Sequence, residues 1–73
     1  MLEYKYMNSQ NMAAFSKQVR EARRKMNLTQ ADVAEKAGMT ENYFAMIERG
    51  EMNPSYEKLK SIARVLKLKI TIS

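Results

Sequence analysis

The chain has 73 residues, of which 45% are hydrophobic and 29% are charged, and its formal net charge is +5. This length allows one small domain with a limited core. The absence of cysteine and histidine excludes disulfides, thiolate nucleophiles and most zinc sites, so we expect no enzyme, no metal and no cofactor.

The first predicted elements are a short strand or arm over residues 1–11 and a helix over about 12–26. Leu2, Tyr4 and Tyr6 alternate with other residues at the period of a strand. Either Asn11 or Ser9 can cap the helix that follows. Four apolar residues spaced by three and four are expected to face the core from this helix, namely Phe15, Val19, Ala22 and Met26.

Residues 30–49 carry the most informative pattern of the chain. Two short helices, over 30–37 and 41–48, are predicted on either side of Gly38, which supplies a left-handed backbone conformation. Ala34 allows the two helices to approach closely, and Thr29 with Asp32 resembles a capping box. Five apolar residues should bury one face of the pair: Val33, Ala37, Met39, Phe44 and Ile47. This is the spacing of a helix-turn-helix that reads DNA.

The C-terminal third is predicted to form a fourth helix and a strand. The helix, over about 55–66, follows the turn at Asn53-Pro54-Ser55. Residues 67–73 alternate in polarity and predict a strand, which needs a partner for its free edge. That partner is either residues 2–6 of the same chain or the same strand of a second chain. We favour the second chain because the helical core has no other sheet, which makes Leu68, Ile70 and Ile72 the expected dimer contact.

Six features in a fixed order carry a resemblance to a known family over residues 15–68. They are Arg23, Leu28-Thr29-Gln30, Ala34, Gly38-Met39-Thr40, Ile47-Glu48-Arg49-Gly50 and Asn53-Pro54-Ser55. With this set the chain resembles the Cro/lambda-repressor type of helix-turn-helix domain, the XRE family. The resemblance implies an all-α bundle of four or five helices over 12–66 that binds double-stranded DNA, usually as a dimer on a palindromic site.

The resemblance also assigns roles to individual residues. The expected base contacts are Glu41, Asn42, Ala45 and Met46. The expected phosphate contacts are Thr29, Gln30, Thr40, Tyr43 and Arg49. Arg23 and Glu48 are expected to form a structural ion pair between the first and third helices. Asparagine can bond adenine at two atoms and glutamate can accept from cytosine, while alanine and methionine can pack on thymine methyl groups.

The charge pattern departs from a simple basic patch. Residues 29–50 hold four acidic and two basic side chains, so the positive charge flanks the predicted reading unit. Glu41 and Glu51 place negative charge beside the predicted groove contact and should weaken nonspecific DNA binding. Either the DNA site demands cytosine, or these side chains point away, or the domain binds protein more than DNA.

Two functions remain open from the sequence. The first is a cytoplasmic, bacterial or phage-encoded homodimeric repressor with no small-molecule effector evident and no membrane partner. The second is an antitoxin that binds a toxin protein and represses its own operon. The C-terminal strand favours this alternative because it resembles the dimer-closing strand of antitoxins partnered with HipA-like kinase toxins.

Overall fold

The computed structural model describes residues 2–3 and 9–71, with the side chains of residues 13–69. Four helices form the body of the domain: α1 (Ser9–Lys25), α2 (Gln30–Ala37), α3 (Glu41–Glu48) and α4 (Tyr56–Leu66). Two short strands, β1 (Leu2–Glu3) and β2 (Ile70–Thr71), lie near the ends of the chain. The predicted all-α architecture is confirmed. Within the described residues, no helix is long and apolar enough to cross a membrane.

Side-chain caps explain where the three later helices begin. Thr29 Oγ1 accepts from the Asp32 N–H at 3.0 Å, and Asp32 Oδ2 accepts from the Thr29 N–H at 2.9 Å, which completes the predicted capping box. Thr40 accepts from the Tyr43 N–H at 3.1 Å, and Ser55 accepts from the Lys58 N–H at 3.2 Å. These bonds satisfy N–H groups that have no partner within a helix.

The core lies where α2 packs against both α3 and α4, with α1 closing the other side. Its largest fully buried side chains are Phe44, Ile47, Leu59, Ile62, Val19 and Val33. The helical spacing of the sequence predicted Val19, Val33, Phe44 and Ile47 correctly, and the fourth helix adds Leu59 and Ile62. Apolar burial of this kind contributes about 1.5–3 kcal/mol for each large side chain.

Met26 is not a core residue, contrary to its predicted place in the first helix. Helix α1 ends at Lys25, and the chain turns through Asn27 with a left-handed φ of 57°. Met26 therefore lies in the turn after the helix, where its side chain is 38% exposed. Helix α1 also begins earlier than predicted, at Ser9, so Asn11 lies inside it rather than at its cap.

The two strands pair with each other in parallel, with Leu2 opposite Ile70 and Glu3 opposite Thr71. This is the pairing within one chain that the sequence left as the second choice. The preference for a second chain rested on the lack of another strand in the helical core, and β1 supplies that strand. Tyr4, Tyr6 and Ile72 lie outside the described residues, and the dimer contact through Leu68, Ile70 and Ile72 stays a prediction.

Candidate nucleic-acid interface

The turn between α2 and α3 sets the direction of α3. Gly38 adopts a left-handed conformation with φ 74° and ψ 38°, and its N–H donates to the carbonyl oxygens of Ala34 and Glu35. The Met39 N–H also donates to the Ala34 carbonyl oxygen, at 2.9 Å. Lys58 Nζ donates to the Gly38 carbonyl oxygen at 3.1 Å, so α4 holds the turn from outside. The two helices are thereby fixed in the predicted helix-turn-helix arrangement.

The solvent-facing side of α3 carries three of the four residues expected to contact bases. Glu41 and Asn42 are exposed, and Met46 is half-buried. Asn42 Nδ2 lies 3.8 Å from Met46 Sδ, one helical turn away, as a weak donor–acceptor contact. These side chains form a continuous polar and apolar strip along the first two turns of the helix.

Ala45 does not face outward as expected, because its side chain is 8% exposed. Tyr43 is half-buried and packs against the core, which holds its ring against the bundle.

Thr29 and Thr40 stand at the starts of α2 and α3. Each hydroxyl oxygen accepts a backbone N–H of its own helix, which leaves the hydroxyl hydrogen able to donate to an anion. The first-turn N–H groups of both helices and the positive end of each helix dipole favour a phosphate at these positions.

A buried network joins α1, α2 and α3 behind the exposed strip. Arg23 Nε and Nη2 donate to Glu48 Oε2 at 2.6 Å and Oε1 at 3.2 Å, and Arg23 Nη1 donates to the Leu28 carbonyl oxygen at 2.9 Å. The side chain of Glu48 is 3% exposed and that of Arg23 is 13% exposed. The ion pair stands where the family resemblance implied it, and every polar group in it has a partner.

Two contacts of this region were missed by sequence reasoning. Gln30 was expected at a phosphate, yet its Nε2 donates to Glu48 Oε1 at 3.0 Å. Ser16 Oγ donates to the Ile47 carbonyl oxygen at 2.7 Å from inside the core. The position of Ser16 beside Phe15, on the edge of the apolar stripe of α1, is a signal that could have indicated its burial.

A second ion pair stands at the end of α3. Arg49 Nε and Nη2 each donate to one carboxylate oxygen of Glu51, both at 3.0 Å, and the two side chains are 51% and 53% exposed. The hydrogen bonds from Arg49 lower the pKa of the Glu51 carboxyl group, and Glu51 raises the pKa of the Arg49 guanidinium. Arg49, expected at a phosphate, is therefore held by a carboxylate of its own chain.

Comparison with known proteins agrees with this geometry. The family profile described as Helix-turn-helix matches residues 19–72. The chain is 36% identical over 53 residues to the immunity repressor protein of Bacillus phage phi105, covering 73% of the chain and 37% of that protein. It is also 36% identical over 52 residues to an HTH-type transcriptional regulator of Archaeoglobus fulgidus, covering 71% of the chain and 73% of that protein.

A solved structure extends the likeness to three dimensions. The restriction-modification controller protein C.AhdI from Aeromonas hydrophila superposes with a TM-score of 0.78 at 25% identity, covering 88% of the chain and 93% of that protein. The chain thus spans nearly the full length of the controller protein but little more than a third of the phage repressor.

Proposed function

Because the chain belongs to the helix-turn-helix family of DNA-binding transcription regulators, we propose that it is a sequence-specific repressor that reads double-stranded DNA with α3. The observation that carries this proposal is the exposed strip of Glu41, Asn42 and Met46 on a helix held rigidly by the Gly38 turn and the Glu48 network. The family consists of DNA-binding regulators rather than enzymes.

We assign the contacts with DNA bases to Glu41, Asn42 and Met46 on the solvent-facing side of α3. Asn42 can donate to adenine N7 and accept from adenine N6, while its second amide hydrogen keeps the contact with Met46. Glu41 can accept from cytosine N4, and Met46 can pack on a thymine methyl group. Ala45 is left out of the direct contacts because it is buried.

Phosphate contacts position the domain on the duplex. We assign them to the starts of α2 and α3, through Thr29, Gln30 and Thr40, and to the two ends of the groove contact, through Tyr43 and Arg49. Contacts of this kind fix register without carrying sequence information. Gln30 keeps one amide hydrogen for a phosphate after donating the other to Glu48.

We propose that the domain acts as a homodimer on a palindromic operator. A groove of about 440 Å³ between α1 and the end of α4 has an apolar floor formed by Ala22, Met26, Leu66 and Leu68. Glu21 lies on its rim together with Lys25 and Lys67, so a two-fold related copy can match opposite charges. The groove adjoins β2, whose strand contains the predicted contact residue Ile70. A dimer would place two α3 helices in successive major grooves, about 34 Å apart.

Repression then follows from occupancy of the operator, in the cytoplasm of a bacterial or phage-infected cell. The antitoxin alternative keeps the same DNA contacts and adds a toxin protein as a second partner. The feature that favours it is the pair of exposed carboxylates, Glu41 and Glu51, beside the proposed groove contact.

Selection from a pool of random duplex DNA at two salt concentrations tests the proposal. Enrichment of a palindromic motif, with affinity that falls as salt rises, is the expected result. An enriched motif without two-fold symmetry would contradict the dimer. The absence of any enriched motif would contradict DNA reading by α3 and would direct the search to a protein partner.

A further inference from the structure

The turn after α3 gives Glu51 a defined position. Gly50 has a left-handed φ of 75°, and its N–H donates to the Ile47 carbonyl oxygen at 3.0 Å. The next N–H, that of Glu51, reaches back to the Met46 carbonyl oxygen at 2.9 Å. This pair of bonds is a Schellman motif, which fixes the backbone of Glu51 against the last turn of the helix.

Arg49 extends the same face of α3 that carries the candidate base contacts. It follows Met46 by three residues and Asn42 by seven, and residues at these spacings lie on one side of a helix. Its guanidinium, with both bonds at 3.0 Å to Glu51, therefore meets its carboxylate partner at the edge of the DNA-facing surface. A guanidinium binds carboxylates and phosphates with the same two-pronged geometry, so the two anions compete for it.

We infer that Glu51 lowers the affinity of this surface for DNA of any sequence by holding Arg49 until a DNA phosphate displaces the Glu51 carboxylate. The inference rests on the proposed DNA-binding function. In the free protein the pair carries no net charge, so Arg49 adds little to general attraction for the duplex. Docking on any DNA must break the pair and leaves Glu51 beside a phosphate. This penalty is the same on every sequence, so it lowers the affinities for random and selected DNA by the same factor. Only a site that adds base contacts is then bound stably.

The variant Glu51→Gln removes the competing charge and keeps the size of the side chain. Glu57→Gln is a matched control, because Glu57 is exposed on α4, has no ion pair among the described residues, and changes net charge equally. The probes are one random-sequence duplex and the motif obtained by selection, each titrated at 50 and 200 mM salt. Thermal unfolding of each variant verifies that the fold is retained.

We expect Glu51→Gln to bind the random duplex more tightly than Glu57→Gln does. The slope of log affinity against log salt should be steeper by about one, so affinity should fall about fourfold more across this fourfold salt range. Binding to the selected motif should tighten by the same factor, so the ratio of the two affinities should stay unchanged. In an Arg49→Gln background, Glu51→Gln should have no effect beyond that of Glu57→Gln.

Two results would overturn the inference while leaving DNA binding intact. One is an identical effect of Glu51→Gln and Glu57→Gln, which would mean that only net charge matters. The other is a full effect of Glu51→Gln in the Arg49→Gln background, which would mean that Glu51 does not act through Arg49. Failure of the proposed function looks different, because then neither the unmodified protein nor any variant binds either duplex at 50 mM salt.

Discussion

The side-chain amide of Gln30 donates to Glu48 Oε1 at 3.0 Å, which joins the first residue of α2 to the last residue of α3. The same carboxylate receives two hydrogen bonds from Arg23 of α1. One buried acidic group therefore connects all three helices that position the candidate interface. Its hydrogen bonds hold α3 at the end opposite to the Gly38 turn.

Glu48→Gln should lower the free energy of unfolding by about 3–5 kcal/mol, because it leaves the largely buried Arg23 guanidinium without a negative partner. Urea denaturation measures the change, with Glu57→Gln as the exposed control. Replacing Arg23 and Glu48 together by methionine should cost less than Glu48→Gln alone. Equal stability of Glu48→Gln and the unmodified protein would contradict a structural role for the pair.

Gly38→Ala should lower the free energy of unfolding by about 1–2 kcal/mol, the cost of a left-handed conformation for a residue with Cβ. Apart from Gly38 itself and its two chain neighbours, no described residue has a heavy atom within 4 Å of the place that a Cβ would take, so the expected loss is conformational rather than steric. Gly38→Asn should cost less, since asparagine tolerates this region better. Thermal unfolding compares the two variants, and an asparagine variant as unstable as the alanine variant would point to lost packing instead.

Asn42→Ala should reduce discrimination at one base pair of the operator by about 1–3 kcal/mol and leave the helical content unchanged. The residue is exposed, and its described side-chain contact is with Met46 on the same helix. Selection and sequencing of duplex DNA bound by the variant protein measures the discrimination, and circular dichroism measures the helical content. An equal loss of affinity on all sequences would assign Asn42 to the backbone rather than to a base.

The sequence predicted α2 and α3 to the residue because caps, turn glycine and apolar spacing agree there. Thr29 and Thr40 start the helices, and Gly38 needs no tertiary information to be recognised as a left-handed turn. The pairing of β2 with β1 could not be predicted in the same way, since two-residue strands carry almost no pattern. The bond from Gln30 to Glu48 could not be predicted from the sequence, because the two residues lie 18 positions apart in the chain.

Acid should weaken α2 through its capping box. Two hydrogen bonds with Thr29, the backbone one first, lower the pKa of Asp32 in the folded protein. Protonation of Asp32 therefore favours the unfolded chain. The stabilisation from the Asp32 carboxylate is complete above the pKa of Asp32 in the unfolded chain, about 3.9, and is lost as pH falls through its lower pKa in the folded protein. The difference in unfolding free energy between the unmodified protein and Asp32→Asn should shrink over that window. A difference that stays constant with pH would exclude the capping carboxylate as its source.

Met26→Lys should lower the dimer population by placing a charge in the apolar floor of the groove beside α1. Among side chains 13–69, Met26 is the large apolar residue that is exposed, so its replacement should leave the core intact. Sedimentation equilibrium of the protein without DNA measures the dimer population. Ala31→Lys, exposed on α2, adds the same charge elsewhere and should leave association unchanged. If both variants associate as the unmodified protein does, the dimer uses another surface.

The separation of core residues and exposed residues on opposite sides of α3 has an evolutionary consequence. Phe44, Ile47 and Glu48 hold the helix in place from its inner side, whereas Glu41 and Asn42 lie on its outer side and take no part in the core cluster. Under the proposed function, single substitutions on the outer side change the preferred operator while the helix keeps its position. A duplicated copy of this domain can diverge toward a new target through neutral intermediates, because each step leaves a folded protein for selection to act on.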